Sequence, residues 1–540
     1  LSAARLAETL REATRAIDAA ALAGALAGAA HRAARVSSPR EARALHDALL
    51  FAIAHPPDAA CRKAAETALA ALATRLEGSG RLASRLQNSG LAGTAVVSEF
   101  SLPVVRALAA SEGARLAHDS TDADFALTQL FVREALLPPE REHLEREQHP
   151  LDRWLTRHAP PAKRLPLLLS WIASSTRDER MRELLFAALR VFVRWDLTAS
   201  SWSLTRARGL ARPVHYAADR PKSVRLEDWV AKPLPRPARL SQGEAEHLLA
   251  TARGVLACLL REVDTVTYGS SQGVTLFRLE RGIDIALFGM RPGYRLALES
   301  YFGYMAFRNG VPAAYGGTWM FGHRCKIGIN IFPFMRGGES ALILAQLVRT
   351  YAGHYGPDVF LVEPYQIGQG NPDGIRSGAF WFYYRLGFRP VQAPLAALAA
   401  DAYATLQAGE RTPVTVLRRL ADADLRWVVP GGTIAPLPDP YTVNRALTRW
   451  IDRHHAGDRI GAVQASRAAT RRLFGRALPK VNADYGPLLA MLEGVPAWPA
   501  RDRVALGRML AAKLEGDERD YALGLVRHRR LLAALDRLSP

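Results

Sequence analysis

Cysteine is scarce in these 540 residues: Cys61, Cys258 and Cys325 are the whole complement. They stand far apart, with no CxxC pair and no Cys/His grouping. That excludes a disulfide-stapled secreted scaffold and offers no ligand set for structural zinc. A reducing compartment, the cytoplasm, and no bound metal are the expectation. No apolar run reaches the length of a bilayer-spanning helix; the stretch Ala19–Ala30 is mostly alanine and ends at His31, so no membrane partner is expected. No G-x-S-x-G elbow, H-E-x-x-H pair or Walker loop occurs, and His454-His455 lacks both ligand spacing and an acidic partner. No fixed repeat period runs through the chain. Lysine is rare as well, contributing seven of the 71 basic residues.

What is present describes an ordinary globular protein, 49% hydrophobic and 23% charged. Its length is about twice that at which one hydrophobic core stops growing, so several domains are expected. The net charge of +19 is carried by arginine. Biased composition explains such a balance, and so does a partner bearing phosphates. No dense basic block or aromatic-interleaved basic stripe marks a nucleic-acid site along the sequence.

The first 220 residues read as a helical domain. Ser38-Pro39-Arg40-Glu41 combines a capping serine, proline at the first helical position and a glutamate that closes a capping box. Apolar residues at helical spacing recur over 101–115, 122–136 and 164–192. From 221 to 240, four prolines interleaved with Lys and Arg read as an extended connector. Ser241-Gln242-Gly243-Glu244 then opens another helix.

Strands concentrate in the third unit, 241–395. Val274–Leu279 and Ile283–Phe288 are β-rich. Tyr301–Phe307 and Val311–Met320 flank Asn309-Gly310, a strong hairpin signal because both residues tolerate positive φ. Cys325–Phe332 alternates, with Ile327, Ile329 and Ile331 on one face. A helix, a short strand at Val359–Val362, a glycine-rich loop, a second helix and a last strand follow. The reading is α+β: a mixed sheet with helices on its faces, between N-terminal and C-terminal helical regions. Residues 396–540 form the mainly helical C-terminal region, with a turn-rich interruption at 428–439. Its last segment, 500–536, is amphipathic and expected to pack on the core.

Two segments carry possible chemistry. In Asn330-Ile331-Phe332-Pro333-Phe334-Met335-Arg336-Gly337-Gly338-Glu339-Ser340-Ala341, a strand runs through a glycine turn into a helix. Backbone N–H groups and the positive end of the helix dipole gather there, suited to phosphate, and Arg336 adds a charged fork. A plain strand-to-helix turn is the simpler alternative. In Gly378-Ala379-Phe380-Trp381-Phe382-Tyr383-Tyr384-Arg385-Leu386-Gly387-Phe388, an aromatic helix ends at glycine. Tyr383 and Tyr384 project about 100° apart, so one can face a pocket while the other packs. The paired glycines Gly316-Gly317 suggest a bulge or close approach by a ligand.

Together these segments resemble the GNAT superfamily of N-acetyltransferases over roughly residues 270–395. Arg336-Gly337-Gly338-Glu339-Ser340-Ala341 matches the family's pyrophosphate loop at its Arg, first Gly and final Ala. Tyr383-Tyr384-Arg385-Leu386-Gly387-Phe388 matches its tyrosine helix. Glu339 departs, standing where the family has its middle glycine, and its carboxylate repels a pyrophosphate unless it turns away or pairs with arginine. The resemblance implies a GNAT-like acyltransferase domain that takes acyl-CoA or acetyl-CoA on the N–H groups of 337–341, with Asn330 and Phe332 near the thioester carbonyl. It implies Tyr383, with Tyr384 in reserve, as proton donor to the leaving thiolate, and Glu299, His323 or Glu363 as the base. The acceptor is an amine of a small molecule, peptide or protein. A non-catalytic scaffold, a nucleic-acid binder, and a user of aminoacyl-tRNA with the basic helical flanks holding protein or tRNA, remain alternatives.

Overall fold

The computed structural model describes residues 2–147, 150–219, 221, 223–434, 439–492 and 494–538. Arg220 at the end of the first unit, Lys222 of the connector and 435–438 of the turn-rich stretch lie outside them.

Local signals place many helices. Ser38 accepts from the Glu41 N–H and Pro39 opens the helix Pro39–Ala54. Ser241 and Glu244 form a reciprocal capping box for Gln242–Cys258. The first 200 residues are not wholly helical, however. β1 (Ala95–Glu99), β2 (Leu116–Thr121) and β3 (Val191–Asp196) form a small antiparallel sheet in the order β1-β3-β2. In β3, Val191, Val193 and Trp195 point inward and alternate with less buried residues. The helical periodicity before it ends at Ala188, where the alternation takes over.

The central sheet contains β4 (Gly269–Arg278), β5 (Ile283–Met290), β6 (Ser300–Arg308), β7 (Val311–Phe321), β8 (Arg324–Ile327), β9 (Asn330–Ile331), β10 (Val359–Val362), β11 (Arg389–Pro390) and β12 (Leu425–Val428). Its order is β11-β12-β10-β8-β7-β6-β5-β4, with β9 paired to β7. The pairing of β8 with β10 is parallel; the other pairings are antiparallel. This mixed sheet between helical regions is consistent, in general terms, with a GNAT-like architecture. β12 lies in a region expected to be helical: only four residues long, it places Leu425 and Trp427 inward between β10 and β11.

One apolar core joins the N-terminal helices to the central sheet. A second, smaller core holds the helices after residue 440 and includes Phe321 from the sheet. The proline-rich connector is less extended than expected. It contains the short helix Leu226–Val230, and its Lys232 and Pro233 carbonyls accept from Arg349 on the helix Ser340–Tyr355. Among the described residues, no helix is long and apolar enough to cross a membrane.

The Asn309-Gly310 turn joins β6 to β7 with φ of 49° and 81°. Asn309 is buried, and its amide nitrogen donates to the Ala54 and His215 carbonyls at 3.0 and 2.9 Å. Its carbonyl accepts from the His215 N–H at 2.9 Å. The hairpin tip is thus fixed to the end of helix Pro39–Ala54. Asn309→Ala leaves three backbone groups without their partner and is expected to cost about 2–4 kcal/mol. Urea unfolding measures it, and an unchanged midpoint contradicts the assignment.

Candidate functional site

β8 runs beside β10 only through Arg324–Lys326, opposite Val359–Leu361. Their pairing stops there, one residue before the carboxyl end of each strand, the region where open parallel sheets hold ligands. The chain expected to continue as one strand to Phe332 breaks at Gly328 and Ile329 and pairs again with β7 as β9. Three side chains fill the break. The Tyr304 hydroxyl donates to the Gly328 carbonyl at 2.5 Å, and the Gln366 amide lies where a side chain at 328 would project. The Tyr383 hydroxyl accepts from the Ile329 N–H at 3.3 Å.

Tyr383 comes from the helix Ala379–Arg385 and is buried, and that burial pushes its phenol pKa far above the ordinary value. Tyr384 faces elsewhere, among Phe380, Trp381 and Tyr403, with the Arg389 guanidinium 4.0 Å from its ring centre. Gly316 and Gly317 accommodate the rings of Tyr304 and Tyr301, so their close approach is to the protein's own tyrosines.

The turn after β9 is held from beneath. Glu339 is buried, and its carboxylate accepts from Arg308 Nε at 2.8 Å and Arg281 Nε at 2.9 Å. The Arg308 side chain is wholly buried, and among the described residues its two terminal nitrogens have no hydrogen-bond partner. Burial alone raises the Glu339 pKa, but Arg308, His55 and Arg281 outweigh it and hold the carboxyl below its ordinary range. From above, Arg11 donates to the Phe334 and Arg336 carbonyls, both at 3.2 Å. Arg15 lies beside Gly337, while Phe51 and His55 pack against Gly338. Gly337 has φ of 80°, and the Gly338 N–H donates back to Met335. Arg336 and Gly337 remain exposed, Ser340 and Ala341 are half-buried, and the helix Ser340–Tyr355 has no side-chain cap.

Asn330 is exposed in β9, opposite Tyr315, and the Phe332 N–H donates to Ala313. The N–H at the point of strand separation is instead that of Ile329.

Glu299 and Glu363 come together through Lys326, whose ammonium donates to Glu363 at 2.8 Å. Burial raises the Glu299 pKa against the opposing pull of Lys326 and Arg324. Asp424, absent from the sequence-based set, is raised by burial and by Glu363, again against Lys326. Tyr301, Trp319, Lys326 and Leu361 are cross-strand neighbours on this face, and the first two rings stack 4.4 Å apart. His323 is not brought to this group. It lies before the other end of β8, with Nδ1 2.8 Å from Asp358.

Sequence reasoning therefore missed Ile329, Gln366, Asp424 and the arginines at 11, 15, 281 and 308. The Ile329–Gly328 break had one signal, the glycine inside an alternating strand. Among the described residues, no group of three or more His, Cys, Asp or Glu side chains is arranged to hold a metal ion. Comparison with family models, curated proteins and solved structures finds no match to this chain.

Glu339→Gln tests the buried pair. The unfolded carboxyl titrates at about pH 4.3, and the folded one lower. The stabilisation is therefore complete above the unfolded value and lost as pH falls through the folded one. At neutral pH the variant is expected to lose about 3–5 kcal/mol, and the gap from wild type should narrow on acidification. A pH-independent gap in urea unfolding contradicts the linkage.

Proposed function

We propose that this chain transfers an acyl group from a thioester carried on a phosphorylated arm, of which acyl-CoA is the type, to an amine. The supporting observation is the Tyr383 hydroxyl on the Ile329 N–H, where β8 and β10 separate. The same chain leads directly into the uncapped helix Ser340–Tyr355, and Arg336 stands exposed at the turn. The helix end and Arg336 attract phosphate, Arg15 adds charge, and the strand gap receives the arm. Because Glu339 is paired with two arginines, its charge is compensated beneath the turn.

In this reading the thioester carbonyl takes over the Ile329 N–H from the Tyr383 oxygen. The amine nitrogen bonds to the acyl carbon, the carbon–sulfur bond breaks, and the electron pair leaves on sulfur. A carboxylate of the Glu299–Glu363 group takes the proton that the amine loses. Tyr383 retains its proton because its pKa is raised, and it donates a hydrogen bond to the departing thiolate. The stacked Tyr301–Trp319 pair beside these carboxylates suits a cationic amine.

A non-catalytic GNAT-like scaffold is the second reading. It is favoured by the packing of Phe51 and His55 on Gly338, which covers one side of the turn. Calorimetric titration with CoA and acetyl-CoA separates the two. The first reading expects binding weakened about tenfold by Arg336→Ala, the value of a charge-assisted hydrogen bond. Tyr383→Phe should preserve binding while slowing transfer to an amine by about a hundredfold. A folded chain with no CoA affinity overturns the acyltransferase reading in favour of the scaffold.

A further inference from the structure

The C-terminal region contains a concentration of charge that the linear sequence obscures. Residues 440–480 hold nine Arg and Lys side chains against Asp452 and Asp458, a net +7 out of +19 for the chain. They form the helices Pro440–His455 and Arg459–Phe474 and the segment leading to Lys480. Val443, Ile451, Ala462 and Leu473 are the buried apolar positions. On the first helix, Arg445, Arg449 and Arg453 follow at intervals of four and share a face; Arg467 and Arg471 do so on the second.

Arg449, Arg453, Arg467, Arg471, Arg472 and Arg476 are exposed and, among the described residues, make no ion pair or hydrogen bond. Several arginines elsewhere are used internally: Arg206 pairs with Glu77, Arg281 and Arg308 with Glu339, and Arg349 with Glu280. Aromatic rings lie within the basic surface. Tyr441 is 67% exposed, with the Arg445 guanidinium 5.6 Å from its ring centre. Trp450 stacks with His454 at 5.0 Å.

We propose that this two-helix surface binds RNA containing unpaired bases. Unpaired guanidinium groups supply charge for a phosphodiester backbone, and the exposed Tyr441 ring, with the half-buried Trp450 further along the same helix, offers a platform for bases outside a duplex. Duplex DNA withholds its base faces. An anionic bilayer needs a continuous apolar face to insert, whereas Val443 and Leu473 of these helices are buried in the second core and Ile460 is the one large apolar side chain exposed on the second helix. The proposal does not depend on the carrier reading, since no residue of the turn or strand gap belongs to this surface.

The test uses fluorescence anisotropy of the full chain with a labelled RNA hairpin bearing an unpaired loop. A duplex DNA of matching sequence and phosphatidylserine-containing vesicles are the comparison probes. The hairpin is expected to bind in preference to both, with affinity falling as salt rises. The combined substitution Arg449→Ala, Arg453→Ala and Arg471→Ala should weaken hairpin binding by about tenfold or more and reduce the steepness of the salt dependence by about two. Those side chains are exposed, so circular dichroism and thermal unfolding should match wild type. Arg→Lys at the same positions should restore most of the affinity. No RNA binding, binding unchanged by the alanine variant, or preference for DNA or vesicles overturns the proposal.

Discussion

The ion triad of Glu339, Arg308 and Arg281 fixes the relation between the central sheet and the helix that begins behind its turn. Arg308 ends β6, Arg281 stands before β5, and Glu339 is the last residue before the helix Ser340–Tyr355. A buried carboxylate in this position is costly without its partners, and a buried guanidinium is equally so. Together they fasten the turn through Glu339 while Arg11 of the helix Ala3–Ala16 fastens its carbonyls. The departure from a glycine at 339 is thereby part of a structural lock rather than a loose charge beside the turn.

That lock leaves the neighbouring strand free to depart from regular pairing. Gly328 carries no side chain, so Gln366 occupies the space beside it, and Tyr304 and Tyr383 satisfy the carbonyl and N–H that flank the break. The peptide unit between Gly328 and Ile329 is thereby paired at both its carbonyl and its N–H, as buried backbone requires. The buried phenol of Tyr383, brought in by the helix Ala379–Arg385, is therefore set against a stretch of chain that runs from the strand break to the exposed Arg336 before the helix Ser340–Tyr355.

Local chemistry in the sequence revealed much of this framework. The Asn309-Gly310 hairpin, the Ser241 capping box and the succession of strands from β4 to β8, then β10, follow from turn preferences, cap geometry and two-residue alternation. The isoleucine alternation at 327, 329 and 331 suggested an unbroken strand because the residues that interrupt it arrive from β6, the 364–367 segment and the aromatic helix. The partners of Glu339 are 58 and 31 residues away, and no periodicity connects them. The same limitation hid β12, whose four residues are recognisable as a strand only once they lie between β10 and β11. It also hid the basic surface, where intervals of four collect into a stripe only on a folded helix.

Amide hydrogen exchange with and without acetyl-CoA provides the most direct test of the turn and strand gap as one carrier site. Slowed exchange is expected at Ile329 and at Ser340–Leu342 on addition of acetyl-CoA, with both regions protected over the same concentration range. Unchanged exchange at either region, in a chain that remains folded, contradicts it.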